Sequence, residues 1–310
     1  MALDPTTASV SVVIPVLNAE RYLPGLLDAI FTQKPRPPDE VVLLDSMSKD
    51  RTRAIAAEFP NVRIIPVEKF SHGGTRNLGA REARGEIVIL MTQDAIPRDD
   101  AWLANLIAPL ADEKVAATYS RQVPYPDASP MEQYFLATHF PEVAAVRGPD
   151  SGHDSLVSVF FSNVSAAIRR DLLLKYPFDE TLIMSEDQQV SRDLIKAGFS
   201  VAYAPASIVT HSHNYTLGVV FRRYFDSIYS LTVIFPRHDM GTSASMGFSY
   251  LWKEFVFMVT KHPLWLPYYA CYTVAKISGT VAGHFAEHLP KALVRRMSLH
   301  RYHWSDGAAS

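Results

Sequence analysis

The chain carries several clusters of side chains that could do chemistry. The first is Thr92-Gln93-Asp94-Ala95, polar residues that end an apolar run, Ile87 to Met91. Such a run suits a strand buried on both faces, and ligands of open α/β sheets bind beyond the carboxyl ends of strands. A lone carboxylate there, Asp94, could hold a hard cation and, through it, a phosphate; Asp is also an ordinary turn residue. The second is Asp45, which ends another buried-type run, Glu40 to Leu44. The third is Ser185-Glu186-Asp187-Gln188. Ser185 can cap a helix reaching Ala197, and both acids fall in its first turn, where the helix dipole favours negative charge. Capping alone would account for them; the other role open to them is an ionised general base, because the dipole should keep carboxylates of reference pKa near 4 charged at pH 7. His211 and His213 follow a strand-like segment, Phe199 to Ala204, and either could complete a metal shell. A Gly-rich stretch, Ser71-His72-Gly73-Gly74-Thr75-Arg76-Asn77, lacks the Lys-Ser/Thr ending of a P-loop. It reads either as a turn needing positive φ or as backbone donors facing an anion.

These residues need elements to position them. Val10 to Val16 and Val62 to Val67 add two more apolar, β-branched strand patterns, with Pro15 removing a donor near the end of the first. Helical spacing follows over Ala19 to Gln33, capped by Asn18, and again after a Ser48 cap at Ser48-Lys49-Asp50-Arg51-Thr52. The Gly-rich stretch runs into a helix through Arg84; Trp102 to Leu110 reads as helix and Val115 to Val123 as strand. Strand and helix thus alternate at short spacing, which predicts an α/β fold with a mainly parallel sheet flanked by helices. Asp45 and Asp94 then belong to one sheet edge, the signature of a nucleotide-type crevice. From Pro124 to Ser155 prolines interrupt the pattern, and Gly148 to His153 reads as a mobile loop; Val157 to Ile168 is strand-like again.

The composition is ordinary for a globular chain, with 48% hydrophobic and 20% charged residues. A net charge of −2 makes no demand for nucleic acid. The single cysteine, Cys271, offers neither an internal disulfide nor a Cys-based metal site, which fits a reducing compartment. Met1 to Ser9 does not read as a secretory leader, and no uncharged apolar run approaches the ~18 residues of a spanning helix. Beyond Thr216 the character changes. Phe221, Tyr224, Phe225, Ile228, Tyr229 and Leu231 sit at helical spacing, aromatics crowd Trp252 to His284, and a basic amphipathic segment follows. That segment combines Lys291, Arg295, Arg296, His300 and Arg301 with Leu289, Leu293, Val294, Met297 and Trp304, a composition suited to a membrane interface. Its alternative is a helical subdomain packed on the core or on a second subunit, a homodimer. The expected division is therefore 1–215, which carries the acidic clusters and the nucleotide-type crevice, and 216–310, a helical C-terminal extension.

Several stretches resemble family 2 glycosyltransferases, which have the Rossmann-like GT-A fold. Val12-Val13-Ile14-Pro15-Val16-Leu17-Asn18 is similar to their opening strand, and Asp45-Ser46-Met47-Ser48-Lys49-Asp50-Arg51-Thr52 to their nucleotide-contacting loop. Arg76-Asn77-x-Gly79 followed by Gly85-Glu86-Ile87 matches the approach to their metal motif, and Ser185-Glu186-Asp187 their acidic pair. More narrowly, Phe70 to Asn77, Thr92-Gln93-Asp94-Ala95 and Pro205 to Tyr215 resemble bacterial rhamnosyltransferases of this family. The resemblance implies an inverting, metal-dependent hexosyltransferase moving L-rhamnose from dTDP-L-rhamnose to a glycan or lipid-linked acceptor, as in O-antigen synthesis. It implies that Pro15, Asn18, Asp45, Ser46, Arg76, Gln93 and Asp94 bind the nucleotide sugar, and that Asp45 accepts the base imide N–H. Asp94, with His211 or His213, would hold Mg²⁺ or Mn²⁺; Asp187 would be the catalytic base, supported by Glu186. Two departures stand out: Thr92 replaces the first Asp of the usual Asp-x-Asp, and Ser46 replaces the second Asp of the base-contacting loop. The expected setting is cytoplasmic, peripheral to the inner face of the cytoplasmic membrane. Alternatives are a UDP-hexose-dependent transferase of the same fold and a non-catalytic glycan- or membrane-binding scaffold.

Overall fold

The computed structural model describes residues 3–236 and 240–304. Met1 and Ala2, at the end read for a leader, and residues 305–310, at the limit of the expected C-terminal region, lie outside the described residues. The chain divides into two units. One comprises Met1–Tyr125, Phe140–Glu180 and Glu186–His211; the other Pro126–His139, Thr181–Ser185 and Ser212–Ser310. The break thus falls at Ser212, and two earlier segments go with the second unit.

The first unit holds one mixed sheet, nine-stranded among the described residues. Its strands are β1 (Val10–Val16), β2 (Glu40–Asp45), β3 (Val62–Pro66), β4 (Ile87–Met91), β5 (Ile96–Pro97), β6 (Val115–Val123), β7 (Ala145–Arg147), β8 (Ser165–Arg169) and β9 (Ser200–Thr210). The order is β3-β2-β1-β4-β8-β6-β9-β5, with β7 paired to β9. The first four are parallel, as strands joined by helices must be; those helices are α1 (Leu23–Phe31), α2 (Thr52–Ala56) and α3 (His72–Glu82). β2 and β4 are buried along their whole length, which is why they read as unbroken apolar runs. Beyond β4 the sheet turns mixed: β8 is antiparallel to both β4 and β6, while β6 and β9 are parallel. The other helices of this unit are α4 (Trp102–Ile107), α6 (Leu156–Val159), α7 (Arg170–Lys175) and α8 (Glu186–Lys196).

Several local expectations are corrected. β1 does stop one residue after Pro15, at Val16, but as a central strand: Pro15 lies past the last β1–β4 pair (Val13 with Leu90), so its missing N–H breaks no ladder bond there. Asn18 does not cap α1, which starts at Leu23 behind Tyr22; Asn18 has φ 51° and its Oδ1 accepts the Lys49 N–H at 2.9 Å. Ser48 does not cap α2 either; its Oγ accepts the Asn18 N–H, and Asp50 accepts the Thr52 N–H. These short polar residues favour non-helical backbone bonds over caps. Val157 to Ile168 is not one strand. Ser155 caps the short α6, and β8 begins only at Ser165, because a short apolar run does not distinguish helix from strand. Gly148 to His153 contains a 3-10 turn, Pro149–Ser151.

The second unit is helical. It contains α5 (Pro130–His139), inside the stretch that read as irregular, with α9 (Leu217–Ile234), α10 (Met240–Lys261), α11 (Leu266–His284) and α12 (Lys291–Met297). Gly279 and Gly283, on one face of α11, meet the carbonyls of Phe221 and Phe225 of α9; a Cβ at either would collide with that backbone. The apolar side of the basic C-terminal segment is used internally. Val294 is buried with Phe225 and Ala286, and Leu289, Met297 and Trp304 pack against them. Most of that side therefore faces a protein core, while Leu293 stays exposed. Glu254 and Lys276 form a buried ion pair at 3.1 Å. Among the described residues no helix is long and apolar enough to cross a membrane.

Candidate active site

Because β2 and β4 both run parallel to the β1 between them, Asp45 and Asp94 reach the same edge of the sheet. Asp45 is fully buried. Its Oδ1 accepts the Ser48 N–H at 2.9 Å and its Oδ2 accepts from Arg53 Nε. Burial raises its pKa, but Ser48 and Arg53 outweigh this and hold the carboxyl below the usual range. The Ser46 N–H donates to the Val16 carbonyl, so the loop after β2 is stitched to the end of β1. Gln93 does the same from β4: its Oε1 accepts the Leu17 N–H at 2.8 Å and its Nε2 donates to the Leu17 carbonyl. Asn18, Ser46 and Gln93 thus come together with Pro15 and Asp45 at one strand edge.

The sheet also explains how Asp94 meets a histidine distant in sequence. β5 and β9 are antiparallel, with Ile96 opposite Thr210. The residue after Thr210 therefore stands beside the residues before Ile96. His211 Nε2 lies 3.6 Å from Asp94 Oδ1. Gln122 orients the ring: its Nε2 donates to Ser162 Oγ at 2.9 Å, so its Oε1 faces His211 Nδ1, also at 2.9 Å, as the acceptor. That fixes the proton on Nδ1 and turns the Nε2 lone pair toward the carboxylate, the arrangement in which an outer-shell group holds a metal-binding imidazole. A carboxylate oxygen and an imidazole nitrogen facing each other fit a divalent cation of the Mg²⁺ or Mn²⁺ kind. Thr92, where a first Asp is usual, keeps its Oγ1 buried with no hydrogen-bond partner among the described residues. His213 belongs to the second unit, where its ring stacks on Tyr215 with centroids 4.9 Å apart.

The second acidic cluster is built by α3 and α8. Ser71 caps α3, its Oγ accepting the Gly74 N–H at 3.0 Å, and Gly73 and Gly74 lie inside the helix. The Gly-rich stretch is thus neither a positive-φ turn nor an open loop. Gly73 is required for packing, since a Cβ would sit 2.6 Å from the Asp179 carbonyl. Asn77 grips the same segment by accepting the Phe178 N–H and donating to the Phe178 carbonyl. The next turn carries Arg76, buried, with Nη1 3.0 Å from Glu186 Oε1 and 3.1 Å from the His72 carbonyl. Arg76 therefore pairs with an acid of the helix start. Asn163, which was not singled out from sequence, holds both acids: its Nδ2 donates to Glu186 Oε1 at 3.3 Å and its N–H to Asp187 Oδ2 at 3.4 Å. The Gln188 N–H donates to Asp187 Oδ1 at 2.9 Å, and the Gln188 side chain brackets Phe161 through its N–H and carbonyl. Only the tertiary course of residues 161–163 along the start of α8 reveals Asn163; no local pattern marks it.

This environment drives the two acids apart. Burial raises the pKa of Glu186, but Arg76, then His72 and Asn163, hold it below the ordinary carboxylate value. Asp187 is pushed up to about 7, first by burial and then by the charge of Glu186, against the pull of Arg76. The expectation that the helix dipole keeps both acids fully ionised at pH 7 is thus corrected: desolvation and a like charge outweigh it. Two carboxyls with separated protonation behaviour, one titrating near neutrality, are an acid–base arrangement. Just before them, Ser185 holds φ 63°, a left-handed conformation rare outside glycine.

The family model for glycosyl transferase family 2 matches residues 11–175. The chain belongs to this family. It is 33% identical over 303 residues to the O-antigen chain rhamnosyltransferase RfbN of Salmonella typhimurium, covering 96% of both chains. It is 30% identical, with the same coverage, to the O-antigen chain rhamnosyltransferase WbaN of Salmonella anatum. Among solved structures it is similar to the mannosyltransferase PcManGT of Pyrobaculum calidifontis, in complex with GDP-Man and Mn²⁺, with TM-score 0.65 and 21% identity over 92% of this chain and 89% of that one. It is also similar to glucosyl-3-phosphoglycerate synthase of Mycobacterium tuberculosis, with TM-score 0.53 and 19% identity over 76% and 82%. This family member is a glycosyltransferase with the GT-A fold, and its α/β sheet with helical C-terminal region is the architecture the residues led to.

Proposed function

We propose that this glycosyltransferase moves L-rhamnose from dTDP-L-rhamnose to a hydroxyl of a glycan or lipid-linked acceptor during synthesis of a bacterial surface polysaccharide. The donor assignment is supported by similarity along nearly the full length of two rhamnosyltransferases. The reaction class is carried by one observation, the buried Glu186–Asp187 pair in which Asp187 titrates near neutrality. Asp187 takes the proton of the acceptor hydroxyl as that oxygen attacks C1. The C1–O bond to the diphosphate breaks with its electron pair leaving on the diphosphate, and the anomeric centre inverts. Glu186, held ionised by Arg76, keeps Asp187 basic enough to accept the proton. Asp45 and the stitched loop at Asn18, Ser46 and Gln93 shape the nucleoside pocket. Asp94 and His211, with His213 two residues on in the chain, are the side chains that would hold Mg²⁺ or Mn²⁺. Such a cation, when bound, supplies positive charge to the leaving diphosphate.

Nucleoside diphosphate release over a panel of dTDP- and UDP-sugars tests the donor. dTDP-L-rhamnose should be turned over fastest; preference for UDP-glucose or UDP-galactose would transfer the assignment to the UDP-hexose reading. Calorimetry of donor binding with and without Mn²⁺ tests the metal side chains. The metal dependence should vanish in Asp94→Ala, and its full retention would remove Asp94 from that role.

A second feature bears on location. Phe248, Trp252, Phe255, Val256 and Val259 are exposed along one side of α10, and Val274, Ile277 and Val281 recur at helical spacing on α11. With Lys253, Lys261, Arg295 and Arg296 in the same unit, this supports a peripheral hold on the anionic inner face of the cytoplasmic membrane. Co-sedimentation with phosphatidylglycerol vesicles should occur at low salt and weaken in Trp252→Asp. Dimerisation in velocity sedimentation without vesicle binding would favour a homodimer at that face instead.

A further inference from the structure

The second unit contains a cavity of about 510 Å³ whose lining includes His213. Its volume falls within the ~300–1,000 Å³ usual for small-molecule sites. One wall is aromatic, with Trp265, Tyr268 and Tyr272 from the start of α11 and the turn before it. The other is polar, with Asp127, Glu132 and Asn214. No Lys or Arg is among the described lining residues. The walls are braced without a ligand. Asn214 Oδ1 accepts the Ser129 N–H at 2.8 Å while its Nδ2 donates to the Asp127 carbonyl at 2.9 Å. The His213 N–H donates to Glu132 Oε1, and Trp265 and Tyr268 meet edge to face with centroids 5.9 Å apart.

The lining selects a class of occupant. Arg223 stacks over the Tyr215 ring and attracts Glu132 from behind the lining, so the cavity itself offers carboxyl groups and no cation, a poor fit for phosphates, nucleotides and uronates. The polar wall would leave an acyl chain against unpaired donors and acceptors, a costly arrangement. A neutral sugar ring satisfies both walls, offering C–H faces to the aromatic rings and hydroxyls to the carboxylates and Asn214. We propose that this cavity is a saccharide-binding site that seats a neutral pyranose of the acceptor glycan, with Trp265 and Tyr268 as its stacking surface and Asp127 as its hydroxyl acceptor. That the bound sugar is the acceptor rests on the transferase reading above; sugar binding itself does not.

The test uses the full chain without donor. Saturation-transfer NMR is recorded with methyl glycosides of D-galactose, D-glucose and D-mannose, with methyl glucuronide as the charged control. At least one neutral glycoside should receive saturation on its ring protons from aromatic resonances, and the glucuronide should not. Trp265→Ala and Asp127→Asn should each weaken binding by about tenfold, the scale of losing one good contact to a sugar. Trp265→Phe, which keeps an aromatic face, should restore most of it, separating stacking from a folding defect. Equal saturation in wild type and both variants, no saturation from any neutral glycoside, or binding of the glucuronide as strong as that of the neutral sugars would overturn the site. Nucleoside diphosphate release by the wild-type protein is read separately. Loss of that activity would count against the transferase reading, while the NMR result decides the cavity.

Discussion

Each unit buries a glutamate against a cation at nearly the same distance. In the first, Glu186 Oε1 lies 3.0 Å from Arg76 Nη1; in the second, Glu254 Oε2 lies 3.1 Å from Lys276 Nζ. Their surroundings make them different devices. Glu254 is ringed by neutral aromatics: Tyr269 and Tyr250 donate hydrogen bonds to it, and Lys276 sits 4.4 Å from the centre of the Tyr250 ring. Burial raises the pKa of Glu254 and lowers that of Lys276, while their mutual attraction opposes both shifts. Among the described residues no third carboxyl shares that pair. Glu186 has Asp187 beside it, and the third charge cannot be accommodated without moving its proton toward neutral pH. A buried ion pair is thus a packing element until another titratable group shares its site, when it becomes a means of setting that group's basicity.

The comparison breaks most sharply at Asp187. Asp187→Asn should lower transfer by about 10²–10⁴-fold, the usual worth of a general base, while donor binding measured by calorimetry persists. Glu254→Gln should leave turnover per folded molecule intact but destabilise the protein by about 3–5 kcal/mol, because Lys276 is left buried and unpaired; denaturant melts read this. A Glu254 variant that loses turnover while staying folded would erase the distinction between the two pairs.

The pH profile sharpens it further. Asp187 must be deprotonated to act, so kcat/KM should rise with pH up to about 7 and be flat above it. Glu186→Gln removes a like charge and frees Arg76 to act on Asp187, so the acid limb should move to lower pH. Arg76→Met should move it higher, and identical limbs in both variants would disprove the coupling. The smallest expected effect is on stability. The folded pKa of Asp187 lies above its unfolded value, so wild type binds an extra proton when folded and loses stability as pH rises from about 4 to about 7. Asp187→Asn should accordingly melt at a higher temperature than wild type at pH 8 and at the same temperature at pH 4.

Much of this site is legible in residue order. Apolar runs ending in Asp45 and Asp94, separated by helical patterns, suffice to put both acids at one parallel edge. Ser185-Glu186-Asp187 marks the start of α8. What sequence spacing could not supply is long-range. Gln122 orients His211 across 89 positions, and Asn163 reaches Glu186 across 23. The charge state of Asp187 depends on burial, on the charge of Glu186 and on Arg76 rather than on the local helix dipole. α5 was hidden because Pro130, a good first helical residue, also reads as an interruption. The packing role of Gly73 is invisible in the local pattern because the carbonyl it accommodates, that of Asp179, is more than a hundred residues away.

Ser162 and Asn163 are neighbours in the chain that serve opposite ends of the proposed reaction centre. Ser162 Oγ accepts from Gln122, which holds His211 beside Asp94, while Asn163 binds Glu186 and Asp187. One dipeptide therefore acts as a gauge block between the Asp94–His211 cluster and the Glu186–Asp187 pair. Its span is set by a single peptide bond, which neither stretches nor rotates. Lengthening that span by one inserted residue would leave every reactive side chain present and throw the two halves out of register, a lesion that point substitution in either half cannot reproduce.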